Sequence, residues 1–169
     1  HFYSFLKFQQ NYFCFNLPSC INLHIDSQQI IGEQDCYGSD LQVLSEILDL
    51  NQISGSPTNW GVWENDRLVE LNMSNQNITE LPENLGYLAE LKILEFKNNQ
   101  IITIPNSIEF LVNLDSLDLS NNNLTNLSTG FSELEDLNLL NLSGNDIENY
   151  PTVIDSIFSL NILNLSNNN

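Results

Sequence analysis

Apolar residues recur with a fixed 23-residue spacing over the second part of the chain. Five similar stretches each begin with a leucine, at Leu68, Leu91, Leu114, Leu137 and Leu160. Counting that leucine as position 1, positions 4 and 6 are apolar and position 5 between them is polar. This two-residue period is typical of a β-strand with one buried face. The pattern therefore predicts one short strand in each unit of 23 residues.

The remainder of each unit is less regular. Positions 11, 14, 18 and 21 are apolar in most units, and a proline follows position 14 as Pro82, Pro105 and Pro151, with Ser128 in its place in the other complete unit. Proline and this mixed spacing favour a non-strand return segment. One unit offers too few apolar side chains to offset the conformational entropy of ordering 23 residues. The units must therefore stack on one another.

Position 9 carries an amide side chain in every unit. An amide both donates and accepts hydrogen bonds, so it can satisfy turn backbone groups that would otherwise be buried without a partner. We predict a structural ladder of Gln76, Asn99, Asn122, Asn145 and Asn168. Gln76, which is one methylene longer, marks the first unit as the exception.

Residues 68–169 resemble the leucine-rich repeat family, whose LxxLxLxxNxL signature they match. The 23-residue period and the LPxxLxxL continuation are similar to a class common in bacterial surface proteins and intracellular signalling scaffolds. The resemblance implies an α/β solenoid, a right-handed superhelix with a parallel β-sheet on its concave face and irregular or 3-10 segments on its convex face. We expect five repeats in 68–169, the last one truncated.

The segment before the repeats predicts an N-terminal cap at residues 39–67. Leucine and isoleucine residues lie at helical spacing in 40–50, and Ser39 with Gln42 has the form of a capping box. The helix pattern therefore starts at about residue 39.

A loop with two tryptophans and a hairpin complete the predicted cap. Trp60 and Trp63 follow a polar loop, and the sequence around Asn65 and Asp66 is typical of a tight hairpin turn. We expect the helix and both tryptophans to cover the apolar end of the stack. The arrangement resembles the caps of plant receptor ectodomains and bacterial leucine-rich repeat proteins, but the cap cysteines of the plant version are absent from this stretch.

Residues 1–38 form a separate aromatic segment without a defined element. Half of the 14 phenylalanines and tyrosines of the chain fall within its first fifteen residues. The remnant of a secretory signal is one interpretation, and lead-in sequence or a flap on the cap are the others. Cys14, Cys20 and Cys36 leave one thiol over in any single-disulfide scheme, so they do not fix the redox compartment.

The charge of the chain excludes several kinds of partner and chemistry. Twenty-two acidic residues against four basic ones give a net charge of −18, which repels nucleic acid and anionic membrane surfaces. The sequence has no apolar run long enough for a membrane span. All histidines and cysteines precede residue 37, so the remainder holds neither a His/Cys metal cluster nor a catalytic triad. We predict a protein that is not an enzyme, with no cofactor and no metal site.

The candidate binding residues are those that the strand pattern directs away from the core, onto the concave face. They occupy positions 3, 5 and 7: Glu70, Asn72, Ile93, Glu95, Lys97, Ser116, Asp118, Leu139, Asn141, Ile162 and Asn164. Glu95 and Asp118 are expected side by side, because adjacent strands lie about 4.8 Å apart. A solvated acidic face is favoured there over a cation site or an acid/base pair. Ile93, Leu139 and Ile162 are equally explained as anchors for a partner or as scattered surface aliphatics.

These patterns predict a non-catalytic module that binds a protein, favourably a basic one, or a glycan through the concave face. We expect a fragment of a bacterial surface or secreted protein, with an extracellular or cell-surface location. One alternative is the substrate-targeting domain of a larger enzyme whose catalytic part is missing. Another is an intracellular signalling scaffold, which would be cytoplasmic.

Overall fold

A computed structural model describes residues 34–169, and the predictions for residues 1–33, including the signal interpretation and the pairing of Cys14 and Cys20, lie outside the described residues. The described residues form a six-stranded sheet whose strand order follows the chain. The strands are β1 (Val62–Glu64), β2 (Arg67–Asn72), β3 (Ile93–Glu95), β4 (Ser116–Asp118), β5 (Leu139–Asn141) and β6 (Ile162–Asn164). β1 pairs antiparallel with β2, and all later pairs are parallel.

The register of the parallel strands advances by one repeat at each step. Ile93 pairs with Glu70 on one side and with Ser116 on the other, and Leu139 pairs in turn with Ser116 and Ile162. Residues 23 positions apart in the sequence therefore lie next to each other. This arrangement confirms the predicted solenoid.

Short 3-10 segments form the side opposite the sheet, as the resemblance implied. One lies in each of the first four repeats, at Leu85–Tyr87, Asn106–Phe110, Thr129–Glu133 and Thr152–Ser156, whereas the cap has a separate one at Pro57–Asn59 that lies against the cap helix. Their backbones pack closely. A Cβ atom at Gly86 would lie 2.1 Å from the Ser107 carbonyl oxygen, and one at Gly130 would lie 2.3 Å from that of Asn106.

The core is a set of rows of aliphatic side chains between the sheet and the 3-10 segments. The four leucines that begin the first four repeats are buried, and Leu160 packs on the same core while remaining partly exposed. Burial decreases in the last strand, where Leu163 is 37% exposed and its neighbour Leu140 is fully buried. β6 has a neighbouring strand on one side only.

Asparagine at position 9 bonds one coil to the next. The Nδ2 group of Asn122 donates to the carbonyl oxygens of Phe96 in the preceding repeat and Leu119 in its own repeat, both at 3.0 Å. Its Oδ1 atom accepts from the backbone N–H of Ile101 at 3.0 Å. Asn99, Asn145 and Asn168 repeat the pattern.

Gln76 does not take part in this ladder in the same way. Its Nε2 group donates to the Ser74 carbonyl oxygen in its own repeat, at 3.0 Å, and its backbone N–H donates to the Oδ1 atom of Asn99. The side chain therefore makes no ladder bond to a preceding coil. The inter-coil ladder begins at Asn99.

The cap helix is longer than the sequence pattern predicted. Helix α1 spans Gln34–Leu50, so Ser39 lies inside it and the predicted capping box does not mark its start. Its buried face consists of Val43, Leu44, Ile47 and Leu48, which pack on the core at the first repeat. The apolar pattern located the packed part of the helix. It could not locate the first turns, because they carry no such pattern.

The tryptophans and the hairpin lie as predicted. Asn65 and Asp66 both have positive φ, at 49° and 61°, in the two-residue turn between β1 and β2. Such a turn matches the natural twist of the two strands. Trp60 and Trp63 pack against the core, and the indole N–H of Trp63 donates to the Trp60 carbonyl oxygen at 3.1 Å.

A buried ion pair joins the cap to the first repeat, and the sequence analysis did not anticipate it. The side chain of Asp40 on α1 is fully buried. It accepts from Arg67 at both carboxylate oxygens, with the Nε and Nη2 atoms at 3.0 and 3.1 Å, and from the backbone N–H of Leu68 at 2.8 Å. Both ends of the carboxylate are therefore bonded to β2.

Replacing Asn122 by Ala should destabilise the protein by at least about 3 kcal/mol. Three buried backbone groups lose their partner, and each buried group without one costs about 1–3 kcal/mol. The free energy of unfolding in urea measures the change. Asn123→Ala, at the adjacent exposed position, is the control and should unfold close to wild type. Equal midpoints for the two variants would contradict the role of the ladder.

Replacing Arg67 by Met should lower the free energy of unfolding by about 3–5 kcal/mol, because it leaves a buried carboxylate without its counter-ion. Lys92→Met is the matched control. Lys92 pairs with Glu64 at 3.9 Å with both side chains exposed, and such a pair contributes less than about 1 kcal/mol. A loss for Arg67→Met no larger than for Lys92→Met would show that the cap does not depend on this pair.

Candidate interface on the concave face

The sheet places the predicted binding residues in parallel rows. Position 3 forms one row: Glu70, Ile93, Ser116, Leu139 and Ile162. Position 5 forms a second row: Asn72, Glu95, Asp118, Asn141 and Asn164. Glu95 and Asp118 are direct neighbours, as the sequence predicted. Their role in binding stays a prediction.

The chemistry of the face changes along the solenoid. The first three repeats contribute the carboxylates of Glu70, Glu95 and Asp118. The last two contribute Leu139 and Ile162, of which Leu139 is half-buried and Ile162 exposed, beside neutral amides. Lys97 is exposed two residues after Glu95, at position 7. The face therefore has an acidic part and an aliphatic part.

Most of the position-5 side chains also hold the backbone at the end of their strand. The Oδ1 atom of Asp118 accepts from the backbone N–H of Ser120 at 2.8 Å, and Asn141 accepts from that of Ser143 at 3.2 Å. Asn72 and Asn164 make the same bond. These are Asx turns, which Asn and Asp form with the backbone two residues on. The sequence signal was available, since each of these residues stands two positions before a serine.

Glu95 is the exception in this row. Its longer side chain is bonded to the neighbouring strand, where the Nδ2 group of Asn72 donates to its Oε2 atom. Lys97 takes the place of the serine two residues on. The second repeat therefore lacks the Asx turn and has a carboxylate joined to its neighbour instead.

A second row of asparagines borders the face, and the sequence analysis did not identify it. Asn75, Asn98 and Asn121 all have positive φ, and the Nδ2 group of each later residue donates to the Oδ1 atom of the previous one, at 2.9 and 2.8 Å. Asparagine tolerates this left-handed conformation better than most residues. Gly144, with φ 68°, occupies the same position in the fourth repeat, where a Cβ atom would lie 2.3 Å from the Asn121 Oδ1 atom. The bonded row of amides is therefore interrupted at the glycine, and the fifth repeat again has an asparagine with positive φ, Asn167.

Among residues 34–169 there is no cluster of three or more His, Cys, Asp or Glu side chains arranged to hold a metal ion. Within the same range, no helix combines the length and the apolar character needed to cross a bilayer.

Comparison with known sequences and structures agrees with this architecture. The family model described as leucine rich repeat matches residues 66–124. Residues 66–124 are therefore leucine-rich repeats. No curated protein sequence matches it significantly.

Solved structures of leucine-rich repeat proteins share the fold. A leucine-rich repeat protein of Leptospira interrogans is 32% identical with a TM-score of 0.59, over 60% of this chain and 26% of that one. An internalin of Listeria monocytogenes is 33% identical with a TM-score of 0.54, over 60% of this chain and 29% of that one. A chain from the BIR3–SERK2 complex of Arabidopsis thaliana is 25% identical with a TM-score of 0.59, over 81% of this chain and 82% of that one. The chain thus spans less than a third of the two bacterial proteins.

Replacing Asp118 by Ala should destabilise the protein by about 1 kcal/mol, the net value of one hydrogen bond. Asp118→Asn keeps an oxygen for the Ser120 N–H and should stay within about 0.5 kcal/mol of wild type, as surface substitutions do. Ser116→Ala on the same strand is a further control. Urea unfolding measures all three, and equal stability of the Ala and Asn variants would argue against the Asx turn.

Proposed function

We propose that this leucine-rich repeat protein is a non-catalytic module that binds another protein through its concave face. The proposal is supported mainly by the open sheet itself, in which five parallel strands present two ordered rows of side chains. Stacked repeats typically use such an extended face for recognition. The structure of the BIR3–SERK2 complex, which contains a chain of similar fold, is that of two proteins bound to each other.

The side chains of the face favour a partner with a basic part and an apolar part. The basic part would lie over Glu70, Glu95 and Asp118, where opposite charge speeds association and fixes orientation. The apolar part would lie over Leu139 and Ile162. No tryptophan, tyrosine or arginine occupies positions 3, 5 and 7, and those residues dominate most binding hot spots. The five repeats alone should therefore bind with modest affinity.

We propose an extracellular or cell-surface location, as part of a bacterial surface or secreted protein. The similarity to the Listeria internalin and the Leptospira protein supports this more than any single residue does.

A glycan as the ligand of the concave face is less favoured, because positions 3, 5 and 7 provide no aromatic ring for a sugar to pack on. A targeting domain of an enzyme and a cytoplasmic scaffold remain the alternatives. We propose that the chain divides into a cap at residues 39–67 and the repeats at residues 68–169.

The double variant Glu95→Gln/Asp118→Asn should weaken binding of a protein partner purified with the wild-type chain by about two- to thirtyfold, since each surface charge contributes about 0.2–1 kcal/mol. Both substitutions keep the hydrogen-bonding oxygens. Glu133→Gln/Glu135→Gln removes two charges from the opposite side and is the matched control. The dissociation constant is measured at two salt concentrations. It should depend less on salt for Glu95→Gln/Asp118→Asn than for wild type, and the control variant should show the wild-type dependence.

Leu139→Asp tests the aliphatic part of the same face in that assay. A loss of binding with a near-wild-type unfolding curve would support the proposal. If neither Leu139→Asp nor the acidic double variant changes the dissociation constant, the partner binds elsewhere and the proposed interface is wrong.

A further inference from the structure

Tyr150 is an aromatic residue at a repeat position that is otherwise aliphatic, and the solenoid does not require an aromatic side chain there. It occupies position 14, where the other repeats have Leu81, Ile104 and Leu127. Leu127 is 8% exposed, whereas Tyr150 is 51% exposed. The phenol O–H donates to the Oδ1 atom of Asp155 at 2.9 Å. The side chain is thus exposed at the surface and bonded there to Asp155.

The hydrogen bond to Asp155 also extends the pH range over which the phenol keeps its proton. It raises the pKa of the Tyr150 phenol, with smaller contributions from burial and from the charge of Asp155. A tyrosine is already protonated at neutral pH, so the O–H donates to Asp155 under those conditions.

Tyr150 borders a groove of about 450 Å³ on the side of the solenoid, away from the concave face. Residues 125 and 126 of the third repeat and residues 146 and 148–152 of the fourth repeat line it. The volume falls within the range of small-molecule sites, about 300–1,000 Å³. Two adjacent coils form the groove, and one of them contributes the aromatic ring.

The groups that line the groove both donate and accept hydrogen bonds. Asn126 and Asn149 supply amides, Thr125 supplies a hydroxyl, and Asp146 and Glu148 supply carboxylate acceptors. The Oδ1 atom of Asn126 already accepts from the Leu127 N–H at 2.8 Å, which leaves its NH₂ group as the donor. Sugar hydroxyls, which donate and accept at once, match such a mixed lining.

We propose that this groove binds a neutral sugar, with one face of a pyranose ring on Tyr150 and its hydroxyls bonded to Asn126, Asn149 and the two carboxylates. The C–H groups of a pyranose carry slight positive charge and pack on the negatively polarised face of an aromatic ring. This site is separate from the concave face, so it does not depend on the proposed protein partner.

Other ligands fit the groove less well. An anionic ligand would meet Asp146, Glu148 and Asp155, and residues 98–169 contain no lysine, arginine or histidine to offset them. A metal ion is disfavoured, because among residues 34–169 no three acidic, histidine or cysteine groups are arranged to hold one. A guanidinium group from a basic protein could use the carboxylates but would leave the amide donors unused, since it accepts no hydrogen bonds.

Maltotriose, cellotriose and tri-N-acetylchitotriose serve as probes. Each is titrated into the isotope-labelled full chain to millimolar concentration, and the side-chain amide signals of Asn126 and Asn149 are followed by NMR. At least one of the three should shift both signals with a saturable profile. The acidic trisaccharide of galacturonic acid should not.

Tyr150→Leu places the residue type of Leu81 and Leu127 at position 14, so it should fold as stably as wild type while weakening sugar binding at least about tenfold. Phe158→Leu is the matched control, because Phe158 is a 95% exposed aromatic residue outside the groove and should leave binding unchanged. The concave-face variant Glu95→Gln/Asp118→Asn should also leave it unchanged, which separates this proposal from the proposed protein interface.

Three results would overturn the proposal. The first is no shift of either amide signal with any neutral trisaccharide. The second is equal sugar affinity in Tyr150→Leu and wild type. The third is a shift produced by N-acetyl-argininamide and lost in Asp146→Asn/Glu148→Gln, in the absence of any sugar effect, which would assign the groove to a basic protein segment.

Discussion

The hydrogen bonds of the position-9 asparagines are the constraint on which the rest of the structure depends. A coil of 23 residues turns sharply after its strand, and the turn leaves backbone groups facing the core. Asn99, Asn122 and Asn145 satisfy those groups within their own coil and in the preceding one. The same side chain therefore closes one coil and joins it to its neighbour. The aliphatic rows can pack only because these polar groups are satisfied inside the stack.

The repeat pattern was sufficient to predict the architecture. Period, strand positions and row register follow from the recurrence of leucine, and the hairpin follows from Asn65 and Asp66. The 3-10 form of the return segment was implied by the family resemblance. What could not be predicted depends on contacts between residues far apart in the sequence. Asp40 meets Arg67 across 27 residues, and neither residue belongs to a repeating pattern. The first turns of α1 carry no periodic apolar signal, so their helix was also missed.

The candidate interface was predicted in position but only partly in chemistry. The sequence placed Glu95 and Asp118 side by side, and the register agrees. It treated all position-5 side chains as free for a ligand, whereas Asp118, Asn141 and Asn164 each hold a turn. These residues therefore hold the backbone in addition to the binding role proposed for them, and substitutions there must preserve a hydrogen-bonding oxygen if binding is to be separated from folding. The sequence analysis did not single out Tyr150, because the exposure of its side chain and its contact with Asp155 are visible only in the structure.

The glycines on the convex side determine how the opposite face can respond to a ligand. At Gly86 and Gly130 the 3-10 segments of adjacent coils are in backbone contact, so the coils cannot approach further on that side. On the other side the strand spacing is fixed by the sheet. The concave face is therefore constrained from both directions, and it would keep its curvature when a ligand binds. Recognition by the proposed interface would then depend on fit to a preformed shape, with little entropy lost on the side of the solenoid and with selectivity left to the side chains.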